Sequence, residues 1–409
     1  MWRLSLLLLV LLMAGCGSSM KPVLTVAVNA GVEGESLKLA ALEWSEKSEV
    51  QIDIVSLPYS SLFEKLLLNL TSKTGAYDVI MIDDPWFPRL VQGDALLELA
   101  TPDGDFLESC TDVCRHPYKT GKFYAVPYVG NSQLFFYRKD LFGLEHLSAP
   151  KTWEEVIQSS DKLERKGDDP KHHRYGYVMR AAPGNPVVAD FMPLFWAYGA
   201  EMFDDKGNPT VNTPQALSAL NMMLELGKHA PPGYAGFNAD EVSAHLLQST
   251  AMMSINWPAW IPAMDDPAQS KVVSRMGFAL LPGAKLPGRA ALGAWLLGIP
   301  SASRHQEQAK AFVMWASAKQ PMKEAAAKGN PPTRKSVYED PALKEKFRSF
   351  EVQYQSLSTA RPRPRSAQWN EIENAFGIAL SKANAGSLTA SGALGQAQSE
   401  IVAIVNRSK

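Results

Sequence analysis

The sequence contains little of what marks several common classes of protein. Among its 409 residues are three cysteines and seven histidines, and its formal net charge is −1 at pH 7. With so few metal-ligating side chains, and no metal-binding motif among them, we expect no metal site and no cofactor. A near-neutral chain gives no electrostatic reason to expect nucleic acid as a partner. Apolar residues make up 46% of the chain and charged residues 20%, as in an ordinary globular protein.

Long apolar runs are also scarce, and the clearest one lies at the N-terminus, where Arg3 precedes Leu4–Met13. A helix needs about 20 apolar residues to span a bilayer, so this run is too short for a membrane anchor. Its length, its position and the positive charge before it are typical of a secretory signal peptide. The expected mature protein of 394 residues is long enough for two domains of ordinary size.

The residues that follow this run are Met13-Ala14-Gly15-Cys16. They resemble the bacterial lipobox, in which the cysteine is acylated, for example with palmitate, and becomes the mature N-terminus. The resemblance implies a signal peptide over residues 1–15, a lipid on Cys16 and a short linker over residues 16–21. It also implies an exported protein anchored at the cell envelope, facing the periplasm or the cell exterior.

The other two cysteines, Cys110 and Cys114, lie four residues apart. Disulfides persist outside the cytoplasm, and this separation permits a Cα–Cα distance of about 5.5 Å if the segment turns. A Cys110–Cys114 disulfide is therefore the favoured interpretation. Two free thiols or half of a metal site are the alternatives, and three intervening residues rather than two argue against a thiol-redox motif.

Strand and helix patterns alternate at the start of the expected mature chain. The patterns predict strands over residues 23–28, 51–56 and 77–82, a loop over residues 31–35, and helices over residues 36–48 and 59–72. This alternation is typical of a parallel sheet covered by helices, in which ligands bind at the carboxyl ends of the strands. The pattern therefore places Glu33, Asp83, Asp84 and Trp86 near one site.

Later segments predict further elements. Thr152, with Glu155 three residues on, predicts the N-cap of a helix over residues 153–165, and Thr213 predicts the N-cap of a helix over residues 214–228. Residues 251–255 have the pattern of a strand. The sequence Arg361-Pro362-Arg363-Pro364-Arg365 predicts an extended surface connector rather than a nucleic-acid or SH3 ligand.

Several short motifs occur in an order that resembles a known family. They are residues 77–80 with 83–86, residues 124–128, 135–141, 150–153, 251–260, 277–282 and 292–299, and residues 331–334. In this order they resemble the extracellular solute-binding proteins of sugar ABC importers, the group that contains maltose- and trehalose-binding proteins. The resemblance covers nearly the whole of the expected mature chain.

The resemblance implies an α/β fold of two lobes, each a doubly wound sheet, with the ligand in the cleft between them. It implies three crossings between the lobes, near residues 127–132, 291–295 and 331–335. The first lobe would contain residues 22–128 and 296–332, and the second residues 129–295 and 333–409. Hinge closure around the ligand is the expected conformational change.

Sugars present apolar C–H faces and a rim of hydroxyl groups, which suit aromatic faces and charged or amide side chains. The expected ligand-binding residues are Glu33, Asp83, Asp84, Trp86, Tyr128, Asn131, Trp257, Trp260, Trp295 and Arg334. We expect Trp257 and Trp295 to be platforms for the ligand, with packing in the core as the alternative. Arg334 could hold an acidic partner across the cleft or a ligand oxygen, or could be a solvated surface arginine.

Asp83 and Asp84 could also form a catalytic pair. Adjacent residues at a strand end point in opposite directions, however, so one hydroxyl-binding acid and one cap is the favoured interpretation. We therefore expect no catalysis, but capture of a sugar, oligosaccharide or polyol by a monomer that delivers it to ABC permease subunits in the membrane. The alternatives are a binding protein for an anionic solute, with Arg180, Arg289 and Arg334 as its cations, a binding protein for an amine, and a secreted carbohydrate-active enzyme.

Overall fold

The computed structural model describes residues 21–165, 167 and 173–407. The expected signal peptide, the lipid site at Cys16 and all but the last residue of the expected linker lie outside the described residues. The strands are β1 (Val23–Asn29), β2 (Gln51–Leu57), β3 (Val79–Asp83), β4 (Arg115–His116), β5 (Lys122–Phe123), β6 (Ala125–Val129), β7 (Leu134–Arg138), β8 (Met253–Asn256), β9 (Met276–Ala279) and β10 (Trp295–Gly298).

The helices occupy most of the remaining described chain. They are α1 (Val32–Lys47), α2 (Tyr59–Ser72), α3 (Phe87–Leu90), α4 (Glu108–Asp112), α5 (Lys139–Leu144), α6 (Trp153–Leu163), α7 (Asn185–Ala197), α8 (Pro214–Gly227), α9 (Ala239–Leu247), α10 (Ile261–Met264), α11 (Gln306–Ala316), α12 (Lys319–Ala327), α13 (Lys335–Tyr338), α14 (Pro341–Lys346), α15 (Phe350–Thr359), α16 (Trp369–Asn384) and α17 (Ala390–Asn406). Short 3₁₀ turns at Asp84–Trp86 and Pro258–Trp260 precede α3 and α10.

The first lobe is built on a five-stranded sheet in the order β2-β1-β3-β10-β6. Strands β1, β2 and β3 pair in parallel, whereas β10 runs antiparallel to β3 and to β6. All five residues of β3 are buried, as expected for a central strand covered by helices on both faces. This arrangement brings the carboxyl end of β3 beside the start of β10, because Asp83 pairs with Trp295.

The second lobe contains a smaller sheet in the order β8-β7-β9, with antiparallel pairing. Its largest core is mainly helical, because α7, α8, α16 and α17 pack together around buried aromatic side chains such as Phe191, Phe195 and Phe376. A third, smaller core forms between the sheet and the segments α9 and α10. The expectation of a two-lobed α/β fold is confirmed. The expectation of a doubly wound sheet in the second lobe is wrong, because its described strands form a small antiparallel sheet and most of its core is packed by helices.

Three chain segments cross between the lobes side by side. The first crossing follows β6 and the second precedes β10, as the sequence predicts; Gly293 N donates to Asn131 O at 2.9 Å between them. The third crossing is the segment that contains Arg361, where Leu292 N donates to Arg361 O at 2.9 Å. The prediction of a third crossing at residues 331–335 is wrong.

The reason for this difference is the packing of residues 335–360. Buried side chains from this segment, Val337, Tyr338, Phe350 and Leu357, belong to the core of the first lobe. The chain therefore stays with the first lobe beyond residue 333 and leaves it only after Ala360. The lobe boundary expected between residues 332 and 333 thus differs from the boundary that the packing gives. The chain joins the core of the second lobe again at Trp369.

Two predicted helix caps are confirmed, and one predicted loop is helical. The side chain of Thr152 accepts from Glu155 N, and that of Thr213 accepts from Ala216 N. Helix α1 begins at Val32 instead of after a loop. Glu33 consequently lies in the first turn of a helix, where a negative charge is favoured.

The expected disulfide is also corrected, because Cys110 and Cys114 are free and buried. Cys110 lies within α4, and Cys114 Sγ faces the backbone carbonyl of Cys110 at 3.4 Å. Cys114 lies in the turn after α4, where its N donates to Thr111 O at 3.0 Å and its thiol donates to the Cys110 carbonyl, with no bond to Cys110 Sγ. Burial raises the pKa of Cys110 to about 12 and also raises the pKa of Cys114.

None of the helices in the described part of the chain combines the length and the apolar character needed to cross a membrane.

Candidate functional site

The candidate site lies where the lobes face each other beside the crossings. Helix α1 of the first lobe contacts the 3₁₀ turn Pro258–Trp260 of the second lobe. Helix α16 of the second lobe contacts the turn Asp84–Trp86, which follows β3. The cleft is therefore bounded by the carboxyl end of β3, by the start of α1 and by the chain around Trp257.

Asp83 occupies the last position of β3 and is 4% exposed. It accepts a hydrogen bond from the Tyr59 hydroxyl at 2.8 Å and one from Arg363 Nη2 at 3.1 Å. Arg363 is 2% exposed and also lies 3.5 Å from Oε1 of Glu373, on α16. A single buried guanidinium thus joins a carboxylate of each lobe.

The charges of this network shift its pKa values. Burial opposes the charge of Arg363, but the carboxylates of Asp83, Asp84 and Glu373 outweigh it and raise the pKa of Arg363. Burial raises the pKa of Glu373, although Arg363 and Asn185 act in the opposite direction. Because an isolated buried charge is costly, the members of this network depend on one another.

Asp84 lies 3.7 Å from Arg363 through Oδ2, but its closer partner is a different arginine. Its Oδ1 lies 2.9 Å from Arg365 Nη1, and its backbone N donates to Ala294 O at 3.0 Å. Burial raises the pKa of Asp84 to about 7, against the effect of Arg363 and Arg365. Asp84 therefore fastens the third crossing to the first lobe, whereas Asp83 faces the cleft network.

Arg363 is the main functional residue that the sequence reasoning missed. The sequence predicts a surface connector at Arg361–Arg365, but the segment crosses between the lobes and Arg363 within it is buried. The two prolines of this crossing lack backbone N–H groups, so fewer backbone donors need a hydrogen-bond partner there. Arg363 and Asp83 are 280 residues apart in the sequence, so no local signal indicated this pairing.

Glu33 also belongs to the first lobe, in the first turn of α1, and is partly buried. Its carboxylate accepts from Asn29 Nδ2 at 3.3 Å and from Asn131 Nδ2 at 3.4 Å, so it joins the first lobe to the first crossing. Burial raises the pKa of Glu33, and the charge of Asp83 raises it further. Within the described residues no cation lies within ion-pair distance of Glu33.

Trp86 and Trp295 belong to one aromatic cluster on the first lobe. Their rings meet edge to face, with centroids 5.8 Å apart, and both also contact Tyr59. Trp86 is 2% and Trp295 4% exposed. Tyr59 connects this cluster to the charged network, because its hydroxyl donates to Asp83.

Trp257 lies on the second lobe and remains partly exposed. A Cβ atom at Gly293 would lie 2.8 Å from ring atoms of Trp257, so only glycine allows the indole to approach the second crossing this closely. The guanidinium of Arg180 lies 5.1 Å from the ring centroid and is itself paired with Asp190. Such a position is suited to stacking against a ligand in the cleft.

The remaining expected site residues are distributed differently. Asn131 is at the first crossing, and Tyr128 is buried in β6. Trp260 is partly buried against the smaller core of the second lobe. Arg334 lies away from the cleft: its Nη1 is 2.8 Å from Asp103 and its Nε donates to Ser317 O at 2.7 Å, all within the first lobe. Two of the interpretations of Arg334, an acidic partner across the cleft and a solvated surface position, are therefore wrong, since Arg334 is buried with first-lobe partners.

Several polar atoms around the cleft are buried without a hydrogen bond. Among the described residues these include Asn29 Oδ1, Asn131 Oδ1 and Arg363 Nε. Buried donors and acceptors that stay unpaired are costly, by about 1–3 kcal/mol each, and need a partner to offset this cost. The three atoms comprise two acceptors and one donor, a combination that hydroxyl groups can satisfy because each hydroxyl both donates and accepts.

The chain was compared with families of known proteins and with individual relatives. The family model for bacterial extracellular solute-binding proteins matches residues 30–323. A probable amino-acid ABC transporter periplasmic-binding protein of Sinorhizobium fredii is 26% identical over 332 residues, which cover 77% of this chain and 73% of the relative.

Two solved structures extend the similarity over almost the whole chain. An ABC transporter solute-binding protein from Agrobacterium radiobacter K84 in complex with ribitol is 26% identical, with a TM-score of 0.86 over 94% of this chain and 98% of the other. The maltose-bound MalE3 of T. maritima is 25% identical, with a TM-score of 0.84 over 93% and 98% of the two chains.

Proposed function

Because the chain belongs to the bacterial extracellular solute-binding protein family, we propose that it is the ligand-capturing subunit of an ABC importer. Its ligand is a sugar, oligosaccharide or polyol that binds in the cleft between the lobes. Closure around the ligand then presents the complex to the permease subunits. Ribitol and maltose are bound by structurally similar proteins, which supports this ligand class.

The observation that carries the proposal is the set of unpaired polar atoms beside an aromatic surface. Asn29 Oδ1 and Asn131 Oδ1 need donors, and Arg363 Nε needs an acceptor. Trp257 provides a partly exposed ring near them, suited to the C–H face of a carbohydrate or polyol. Glu33 and Asp83 would accept from ligand hydroxyl groups in the same cleft.

The charges of the described arginines argue against an anionic ligand. Arg180 is paired with Asp190, Arg334 with Asp103, and Arg363 with Asp83. Arg289 is exposed on the surface and belongs to no ion pair among the described residues. At Arg180, Arg334 or Arg363 a ligand carboxylate would therefore have to displace an existing carboxylate.

The cleft also differs from a glycoside-hydrolase site. Such an enzyme needs one carboxylic acid and one carboxylate about 5–9.5 Å apart across the scissile bond. Asp83 and Glu373 share Arg363, and Asp84 is paired with Arg365, so these acids are held by arginines. The family consists of binding proteins, and we propose no catalytic role.

A thermal-shift panel tests the ligand class. Ribitol, D-mannitol and maltose represent the proposed class, gluconate an anion and putrescine an amine. A ligand at about 100 times its Kd adds about 2.7 kcal/mol to the free energy of unfolding, which for a chain of about 390 residues raises Tm by roughly 3 °C. Stabilisation by gluconate or putrescine, with none by the three neutral compounds, would refute the proposal.

We also propose that Cys16 carries the lipid and that the protein acts as an anchored monomer. The lipobox-like sequence supports the anchor, and the extracellular family supports export. The Cys16→Ser variant should lose its association with membranes in the producing bacterium. Mass spectrometry that finds an unmodified N-terminus beyond residue 16 in the wild type would refute the lipid attachment.

A further inference from the structure

The segment that follows Trp257 takes part in two further contacts between the lobes. Residues 258–264 form a 3₁₀ turn and then helix α10, and Pro258 and Pro262 restrict the backbone within this segment. Trp257 precedes it and Asp265 follows it. A shift of this short segment would therefore move the candidate ligand platform and Asp265 together.

The first of these contacts is apolar and close. Gly329, which follows α12 in the first lobe, lies against Pro262 of the second lobe. A Cβ atom at Gly329 would be 2.2 Å from Pro262 Cγ, and the φ of Gly329 is +100°, so glycine is required here on both grounds. A small cavity beside this contact is lined by residues of both lobes, including Asn330 and Phe350 of the first.

The second contact is an ion pair between the lobes. Arg348 Nη1 lies 2.5 Å from Asp265 Oδ2, and Arg348 Nη2 lies 2.9 Å from Asp265 Oδ1, so the ion pair is bidentate. Arg348 Nε also donates to Met276 O at 3.2 Å, and the guanidinium lies 5.2 Å from the ring of Phe278. All of these partners belong to the second lobe.

Arg348 itself is held by the first lobe. It lies between α14 and α15, and its neighbours Leu343, Phe350 and Leu357 are buried in the first-lobe core. The Arg348–Asp265 pair therefore joins the two lobes through side chains and is not one of the three chain crossings. Rotation of the lobes about the crossings would change the distance between Arg348 and Asp265.

We propose that the described arrangement, in which α1 and α16 each contact the other lobe, is the closed one, and that Arg348 and Asp265 form a latch that stabilises it and positions the Trp257 segment without touching the ligand. In this role Arg348 and Asp265 set the fraction of ligand-free molecules that are closed. The expected effect on ligand affinity rests on the proposed function, whereas the effect on lobe closure does not.

The experiment uses the full mature protein and a double-mutant cycle. Arg348→Gln and Asp265→Asn each remove one charge and keep much of the side-chain volume. The amide oxygen of the Asp265→Asn variant could still accept from Ser274 N, as Asp265 Oδ1 does at 2.9 Å. The matched control is Arg165→Gln, because Arg165 pairs with Glu145 at 2.9 Å entirely within the second lobe. Arg348→Lys keeps the charge and should restore part of the effect.

Lobe closure is measured in the ligand-free protein by pulsed electron paramagnetic resonance. Spin labels on cysteines at Leu42 and Leu144, which are 63% and 75% exposed, report the distance between the lobes. Arg348→Gln and Asp265→Asn should shift the distance distribution by lowering the population that corresponds to the described arrangement. Arg165→Gln should leave the distribution unchanged.

Ribitol affinity, measured by calorimetry, gives the second readout. Each single substitution should weaken binding about 2- to 5-fold, the range for a partly exposed ion pair, and the double variant should bind no more weakly than either single variant. An unchanged distance distribution, or a shift of equal size in Arg165→Gln, overturns the latch. Failure of the wild type to bind ribitol counts against ribitol as a ligand under the proposed function, and the distance measurement still decides the latch.

Discussion

The two tryptophans expected to be ligand platforms should respond differently to truncation, because the structure places them in different surroundings. Trp257 is partly exposed beside Gly293, on the second lobe. Trp295 is 4% exposed, belongs to the central strand β10 and packs against Trp86 and Tyr59. Trp257→Ala should therefore affect binding most, and Trp295→Ala should affect stability most.

The magnitudes follow from what each ring contacts. Loss of a hot-spot aromatic side chain costs on the order of 2–4 kcal/mol of binding energy, which is about 30- to 1000-fold in Kd. Trp257→Ala should lower the free energy of unfolding by less than about 2 kcal/mol, because part of its ring is already in contact with water. Trp295→Ala removes a packed core ring and should cost about 3–5 kcal/mol of stability.

Both quantities are measured on the same preparations. Urea denaturation of the ligand-free variants gives the free energy of unfolding, and calorimetry with a ligand identified in the thermal-shift panel gives Kd. Trp295→Phe is the matched control, since it retains an aromatic ring in the cluster and should recover part of the stability. If Trp257→Ala unfolds as easily as Trp295→Ala and binds as the wild type does, Trp257 is a core residue and the platform assignment is wrong.

Three further predictions concern the buried charges and the thiols. Arg363→Met leaves Asp83 and Glu373 without their shared cation, so it should lower the free energy of unfolding, measured by urea denaturation, by about 3–5 kcal/mol. The double variant Arg363→Met/Asp83→Asn should recover part of this loss. A loss below about 1 kcal/mol in Arg363→Met would contradict the network. The pKa of Asp84 is raised from 3.8 to about 7, so its contribution to stability is complete below pH 3.8 and is lost as the pH rises through about 7. The free energy of unfolding should therefore fall less steeply between pH 5 and 8 in Asp84→Asn than in the wild type. Equal slopes in the two proteins would contradict this. Cys110 and Cys114 should both react with a thiol reagent in unfolded, non-reduced protein and only slowly in folded protein, as peptide mass spectrometry would show; protection of both after unfolding would restore the disulfide.

The first part of the fold could be predicted from the sequence because it is specified locally. Apolar periodicity and β-branched residues gave β1 and β2 within one residue of their observed ends, and α2 at its observed bounds. The caps at Thr152 and Thr213 depend on residues three positions apart, so they too were visible. Asp83, at a strand end, was placed at the cleft by the same reasoning, which needs only the order of strands and helices.

The third crossing and Arg363 could not be found in this way, because both depend on distant contacts. Helices α13–α15 are short, and their packing on the first lobe is decided by partners more than 200 residues away, as in the bond from Ser109 Oγ to Leu357 O. When its partners are unknown, an arginine between two prolines is predicted to be exposed to solvent. The disulfide was mispredicted for a local reason: the turn after α4 directs the Cys114 thiol to the Cys110 carbonyl, an orientation that residue spacing alone leaves open.

The buried network explains how ligand binding could be linked to closure. Arg363 contacts Asp83 of the first lobe and Glu373 of the second, so separation of the lobes must expose at least one of these pairs to water. In the described arrangement Arg363 Nε and Asn131 Oδ1 are buried without a hydrogen bond, and this cost opposes the same arrangement of the lobes in a ligand-free cleft. A ligand that brings hydroxyl groups to these atoms removes that cost only when the lobes are closed. Such a ligand binds the closed state more tightly than the open one, which is the condition for it to shift the equilibrium.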